Sequence, residues 1–323
     1  MTARRDTATG TKRVGIVGSG LVGRGWAIVF ARAGYQTGLF DADPGAVERA
    51  LQSIEVSLRD LEGAGLIASA TEVRARMRRC AGLAEALDGA GYVQESVPED
   101  RDIKHRVFAE MDALAPPDAI LGSSCSTIPG SQFLRDIPGR SRCLIAHPAN
   151  PPYLMPVVEL VPTPWSAPAT VAACRRLLEE AGQVPVLLKR EIAGFVMNRL
   201  QAGVVNEAMH LVASGVMSPE DIDTTMRYSL GLRWSFMGPF ETMDLNAPNG
   251  FNDYAARYAK SYAEMGAALH VADPWLAPTI DEVESARRRA VPAAQLADRQ
   301  AWRDRRLMAL LAHMARSDKE LGK

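Results

Sequence analysis

The chain has 323 residues, enough for two domains at roughly 150 residues each. With 47% hydrophobic and 23% charged residues, it is neither disordered throughout nor a collagen-like repeat. Its 37 basic and 38 acidic side chains leave a net charge of −1, without the basic excess or stripe of a nucleic-acid binder, and no apolar run offers a membrane span.

Residues 1–12 are polar and lack the apolar stretch of a secretory signal, so a disordered tail is expected. Val14–Val17 then reads as a strand. Gly18-Ser19-Gly20-Leu21-Val22-Gly23 follows, a GxGxxG turn that leads into an apolar helix, which Gly34 is placed to end. Gln36–Phe40 reads as a second strand with Asp41 at its end, 23 residues past the first glycine. A lone GxGxxG is weak, but strand, turn, helix and distal acid together read as a dinucleotide site. Gly18 permits the tight turn, Gly20 clears the pyrophosphate, and Gly23 lets helix and strand pack closely. Asp41 suits the adenosine ribose hydroxyls and repels a 2′-phosphate. No arginine follows at positions 42 and 43, so NAD is expected over NADP.

Residues 44–80 carry a helical pattern through Val47, Leu51, Ile54, Leu58 and Leu61. Strands are expected at 91–97, 119–124, 143–147, 157–161 and 184–188, with helices from Asp100 to Leu114 and over 168–181. This alternation predicts an α/β fold, a doubly wound parallel sheet of the Rossmann type, over 13–190. From 191 to 323 a mostly α-helical C-terminal domain is expected, with helices over 193–214, 218–230, 237–247 and 251–268. One of its faces carries Phe195, Leu200, Val204, Val205, Ala208 and Leu211. Pro274, Pro278 and Pro292 predict an irregular connection before a last amphipathic helix. So large an apolar helical half suits a homodimer interface. Cys80, Cys125, Cys143 and Cys174 show no CxxC and no zinc spacing, which fits a reducing, cytoplasmic setting and no metal.

Ligands of such sheets bind beyond the carboxyl ends of the strands, where Ser96–Glu99, Ser123–Thr127 and His147–Asn150 all fall. Alcohol oxidation needs a base near neutrality, which histidine supplies. His105, His210, His270 and His313 lie in helical or irregular stretches, whereas His147 ends a strand and Glu159 follows twelve residues on. The residues alone leave His147 open between a general base and a satisfied structural histidine, and Glu159 open between its partner and a solvated strand residue.

The strings VGIVGSGLVGRGWA, QESVPED, AHPANPPYLMPVVELVP, AGFVMNRLQ and GPFETMDLN, in this order, resemble the 3-hydroxyacyl-CoA dehydrogenase superfamily, most closely its lambda-crystallin / L-gulonate 3-dehydrogenase branch. The resemblance implies an NAD-dependent dehydrogenase with a helical, commonly dimeric second domain. It places the catalytic pair on His147 and Glu159, a turn serine on Ser126 and two asparagines on Asn150 and Asn198. It places contacts to NAD on Leu21, Val22, Glu99 and Lys104. Acyl-CoA members commonly use lysines after the acidic strand end, and residues 42–80 contain none. Arg233 matches the gulonate and carnitine-type branches and suits a substrate carboxylate. The resemblance thus favours oxidation of a small 3-hydroxy acid, L-gulonate first. A short-chain hydroxyacyl-CoA or carnitine-type enzyme and a non-catalytic NAD-binding crystallin remain as alternatives.

Overall fold

The computed structural model describes residues 12–268 and 275–322. His270, Pro274 and all of the expected tail except Lys12 lie outside the described residues. The chain first runs β1 (Arg13–Val17), α1 (Leu21–Arg32), β2 (Gln36–Phe40), α2 (Ala46–Gly63), α3 (Ala70–Ala75), β3 (Met77–Arg79) and α4 (Leu83–Leu87). It continues through β4 (Tyr92–Glu95), α5 (Arg101–Leu114), β5 (Ile120–Ser123), β6 (Cys143–Pro148), β7 (Val157–Pro162), α6 (Pro168–Glu180) and β8 (Val184–Leu187). Helices follow: α7 (Met197–Ala213), α8 (Pro219–Tyr228), α9 (Leu230–Arg233), α10 (Pro239–Leu245), α11 (Phe251–Ala268), α12 (Ala277–Ala290) and α13 (Leu296–Leu321).

Among the described residues the strands form one eight-stranded sheet in the order β3-β2-β1-β4-β5-β6-β7-β8. The strand order reverses between β1 and β4, which opens a crevice at their carboxyl ends. Side chains alternate between the two faces. Ile16, Leu144, Ala146, Val158 and Leu160 join the core under α1, α2 and α6. Val17, Val93, Ile145 and Val161 join the core under α5. Local signals fix the helix starts: Asp100 caps α5 by accepting from the amides of Asp102 and Ile103, and Pro168 opens α6.

The structure corrects the expected all-parallel sheet. β7 runs antiparallel to β6, and β8 runs parallel to β7. The stretch 149–156 is too short for a crossover, which takes about a dozen residues or more, so the chain turns straight back. The expected helix over 44–80 is likewise broken. It stops at Gly63, resumes briefly as α3, and ends in edge strand β3, whose Arg78 and Arg79 are exposed. Pro278 lies in the first turn of α12, where its missing N–H costs nothing, so helix replaces part of the expected irregular connection.

Two compact units result. The first holds the described residues up to Arg199 together with Asp304–Arg316, and the second holds Leu200–Arg303 and the residues from Ser317. Within the first unit, Met308 of α13 is buried in the core under α1 and α2, with Leu307 and Leu311 packed beside it. The second unit is helical, tied by Arg287–Asp223 and Arg289–Glu220 pairs between α12 and α8. No helix among the described residues is long and apolar enough to cross a membrane.

Candidate active site

The glycine turn forms one wall of the site. Gly18 adopts φ +93°, and a Cβ there would lie 2.6 Å from the Ser96 carbonyl oxygen. A Cβ on Gly23 would collide with the Gly18 carbonyl oxygen. A Cβ on Gly20 would meet nothing within 4 Å, so this glycine faces open space. Gly20 also precedes α1 without a side-chain cap, which leaves first-turn amides around Leu21 and Val22 for an anion. Asp41 anchors the turn, since its Oδ2 accepts from the Ser19 amide at 2.7 Å and the Ser19 hydroxyl at 2.9 Å. Its Oδ1 accepts from the Asp43 amide, which leaves that oxygen one lone pair for a ribose hydroxyl. Gly18, Gly20, Leu21, Val22, Asp41 and Ser96 line a cavity of about 760 Å³, of the size usual for a small-molecule or cofactor site. The open face at Gly20, the uncapped amides and the acid at the far end fit a dinucleotide.

The second group hangs from β6 and β7. The antiparallel pairing sets His147 directly opposite Glu159, so both side chains leave the same face of the sheet. His147 Nδ1 lies 2.8 Å from Glu159 Oε2, and both residues are buried. The other oxygen, Oε1, accepts from the amides of Val196 and Met197, each at 2.8 Å. Those amides converge because Gly194 (φ +73°) and Phe195 (φ +49°) both take left-handed backbone. Burial raises the Glu159 pKa, but the hydrogen bonds from His147, Met197 and Val196 outweigh it and hold the carboxyl below its ordinary value. Glu159 is therefore an anion, and the imidazole that donates from Nδ1 keeps Nε2 as an acceptor.

Phe195 is not on the helix where the sequence pattern put it, because α7 starts only at Met197. Its ring is buried 5.4 Å, centroid to centroid, from the His147 ring. Nothing in its sequence context marks it as a site residue except the Gly194 before it.

The serine turn completes the first unit's constellation. Glu99 Oε1 accepts from the amides of Ser126 and Thr127, each at 2.8 Å, and from the Thr127 hydroxyl at 3.0 Å. The buried Cys125 thiol, pushed up to about 12 by burial and by Glu99, stays protonated and donates to the same oxygen at 3.2 Å. Asn198 Nδ2 donates to the Ser126 carbonyl at 2.8 Å, which ties α7 to this turn. Two hydrogen-bonded groups, His147–Glu159 and Asn198–Ser126–Glu99, are thus joined through the backbone at the start of α7. Lys104 is buried with its ammonium 2.8 Å from Glu95 Oε1, 3.3 Å from the Val97 carbonyl and 3.9 Å from Glu99 Oε2. Its charge is engaged by the end of β4, so it braces the crevice wall from inside. Asn150 is exposed just past β6. Arg233 ends α9 in the second unit, and its Nε is buried without a hydrogen-bond partner among the described residues.

Comparison with known proteins agrees with this arrangement. The 3-hydroxyacyl-CoA dehydrogenase NAD-binding domain matches residues 13–192, and the 3-hydroxyacyl-CoA dehydrogenase C-terminal domain matches residues 194–289. A lambda-crystallin homolog of Bos taurus is 43% identical over 302 residues, covering 92% of this chain and 94% of its own length. An L-carnitine dehydrogenase of a Pseudomonas species is 34% identical over 322 residues and 97% of each chain. A crystal structure of 5-formyl-3-hydroxy-2-methylpyridine 4-carboxylic acid 5-dehydrogenase, described as an NAD+-dependent dismutase, superimposes with a TM-score of 0.81 at 30% identity. It covers 97% of this chain and 100% of that one. The chain belongs to the 3-hydroxyacyl-CoA dehydrogenase superfamily, in its lambda-crystallin branch, and is an NAD-dependent oxidoreductase acting on CH–OH groups.

Proposed function

We propose that the enzyme oxidises the 3-hydroxyl of a small 3-hydroxy acid, with L-gulonate to 3-dehydro-L-gulonate as the specific reaction. The observation that carries this reading is the His147–Glu159 pair at 2.8 Å, with the second carboxylate oxygen fixed by two amides. His147 Nε2 takes the hydroxyl proton, and Glu159 stabilises the imidazolium that results. NAD, when bound on the glycine turn, supplies the acceptor for the hydride. Ser126 presents its hydroxyl to the reacting oxygen, while Asn198 positions the Ser126 turn through its carbonyl. Glu99 holds the same turn by its amides. Asn150 offers a further hydrogen bond to substrate from the end of β6.

Arg233 supports an acid substrate over a long thioester. Its Nε is buried without a hydrogen-bond partner among the described residues, a deficit that a carboxylate would satisfy. The similarity to an L-carnitine dehydrogenase favours a second reading within the same chemistry, since carnitine is itself a 3-hydroxy acid. Its cationic end would need an aromatic neighbour, and Tyr228 and Trp234 flank Arg233 in sequence with exposed rings. The free, buried cysteines support a cytoplasmic setting. The second unit leaves Phe236 at 68% and Phe240 at 76% exposure, which supports a homodimer.

A substrate panel with NAD tests the proposal: L-gulonate, L-carnitine, L-3-hydroxybutyrate and, in reverse, acetoacetyl-CoA with NADH. Gulonate is expected to give the highest kcat/KM. A preference for carnitine selects the second reading, and a preference for the thioester refutes both. Arg233→Ala is expected to raise KM for the acid at least tenfold more than for its amide. Equal effects on the two would remove Arg233 as the anchor.

A further inference from the structure

A buried hydrogen-bond hub lies behind the glycine turn, and its donors fix the direction of one hydroxyl. Ser124 Oγ is 3.1 Å from Trp26 Nε1, 2.7 Å from Gln94 Nε2 and 2.8 Å from Ser96 Oγ. Trp26 Nε1 can only donate. The Gln94 amide is also fixed in orientation: its Oε1 takes the Tyr92 hydroxyl hydrogen, and its Nε2 also donates to the Ala146 carbonyl at 3.3 Å. Both lone pairs of Ser124 are therefore occupied by donors. Its single hydrogen has one place left to go, the oxygen of Ser96.

Ser96 accordingly accepts from Ser124 and keeps its own hydrogen unspent. Among the described residues it has no other side-chain partner. It is half-buried, lines the crevice, and stands beside both ends of the glycine turn. Its backbone limits Gly18, and its Cβ lies 3.4 Å from where a Cβ on Gly23 would sit. The hydroxyl thus lies in the same cavity as Gly20, Leu21 and Val22, the part of the turn that faces the phosphates of a dinucleotide. A hydroxyl with its hydrogen uncommitted and one lone pair already filled by Ser124 suits an anion at this position.

The geometry points to Ser96 as a hydrogen-bond donor to the pyrophosphate of bound NAD, oriented by Trp26 and Gln94 through Ser124. Trp26 and Gln94 act as positioning residues. The hub also reaches the strand of His147 through Ala146, so one buried network fixes the cofactor turn and the base-bearing strand together.

The test is displacement of NADH fluorescence by NAD, ADP-ribose and adenosine, on the full chain and on Ser96→Ala. Loss of a hydrogen bond to a charged oxygen is expected to raise Kd for NAD and ADP-ribose about tenfold. Adenosine, which has no phosphate, should bind unchanged. Equal weakening of all three ligands, or of none, overturns the proposal. Trp26→Phe, checked for an intact thermal transition, frees a lone pair on Ser124 and lets the hydroxyl chain reverse. It should raise Kd for NAD in the parent but have no further effect in Ser96→Ala. Additive effects of the two changes would also overturn the proposal.

Discussion

At the scale of single residues, the proposed chemistry turns on where one proton of His147 sits. The Nδ1 hydrogen of His147 is committed to Glu159, which leaves Nε2 as the only basic atom the ring can offer. His147→Gln keeps a hydrogen-bonding side chain but no base. Turnover should fall by roughly 10²–10⁴-fold while NAD affinity is unchanged, as read by steady-state kinetics and NADH fluorescence. Unaltered turnover would remove the imidazole from the chemistry. Glu159 contributes to stability as well. Its folded pKa lies below the ordinary 4.5, so its contribution is complete above that pH and is lost as pH falls through the folded value. Glu159→Gln should therefore flatten the acid limb of a stability–pH curve below the ordinary carboxyl value of 4.5. A limb as steep as that of the parent would show the carboxylate to be unperturbed. The sequence made this pair legible as types and spacing, since a strand-end histidine and an acid in the next strand stood out. It left Ser124, Gln94 and Trp26 invisible as a unit, because contacts across 98 and 30 positions have no local signature.

At the scale of elements, the decisive feature is the return of β7. A parallel β7 would have needed a crossover and could not have followed β6 so soon. The antiparallel register is what sets Glu159 against His147. The strand positions were readable from apolar runs, but their direction was not, because a buried strand has the same composition either way. Edge strand β3 was obscured for a different reason: two of its three residues are exposed arginines, so it lacks an apolar run. The turn before α7 matters equally. Its helical periodicity masked the break, because Phe195 fits the apolar pattern of the helix it does not join. Gly194 there has φ +73° and ample space, with the Arg199 side chain 3.8 Å from an added Cβ. Gly194→Ala should therefore cost about 1–2 kcal/mol in denaturant unfolding, from backbone strain rather than a clash. Turnover should fall as well if the Val196 and Met197 amides leave Glu159. Full stability in the variant would show that the turn does not require its left-handed backbone.

At the scale of the whole molecule, the alternation of elements pointed to an α/β half followed by a helical half, and the glycine turn with Asp41 pointed to a dinucleotide on the first. The second half is less self-contained. Leu232, Leu245 and Phe251 join the exposed phenylalanines on its surface, more apolar side chain than an isolated unit would leave in water. Sedimentation of the purified protein should give a dimer, and Phe236→Asp with Phe240→Asp should shift it toward monomer. A monomeric parent at micromolar concentration would rule out the self-association proposed here.

The burial of Met308 makes the first unit a discontinuous fold. A protein fragment that stopped at residue 199 would carry the glycine turn, Asp41 and His147, yet it would lack the plug contributed by 304–316. It would uncover the apolar surface of the core under α1 and α2 that Met308, Leu307 and Leu311 close. Anyone excising a minimal nucleotide-binding piece must therefore add that peptide back, by coexpression or by a permuted linkage.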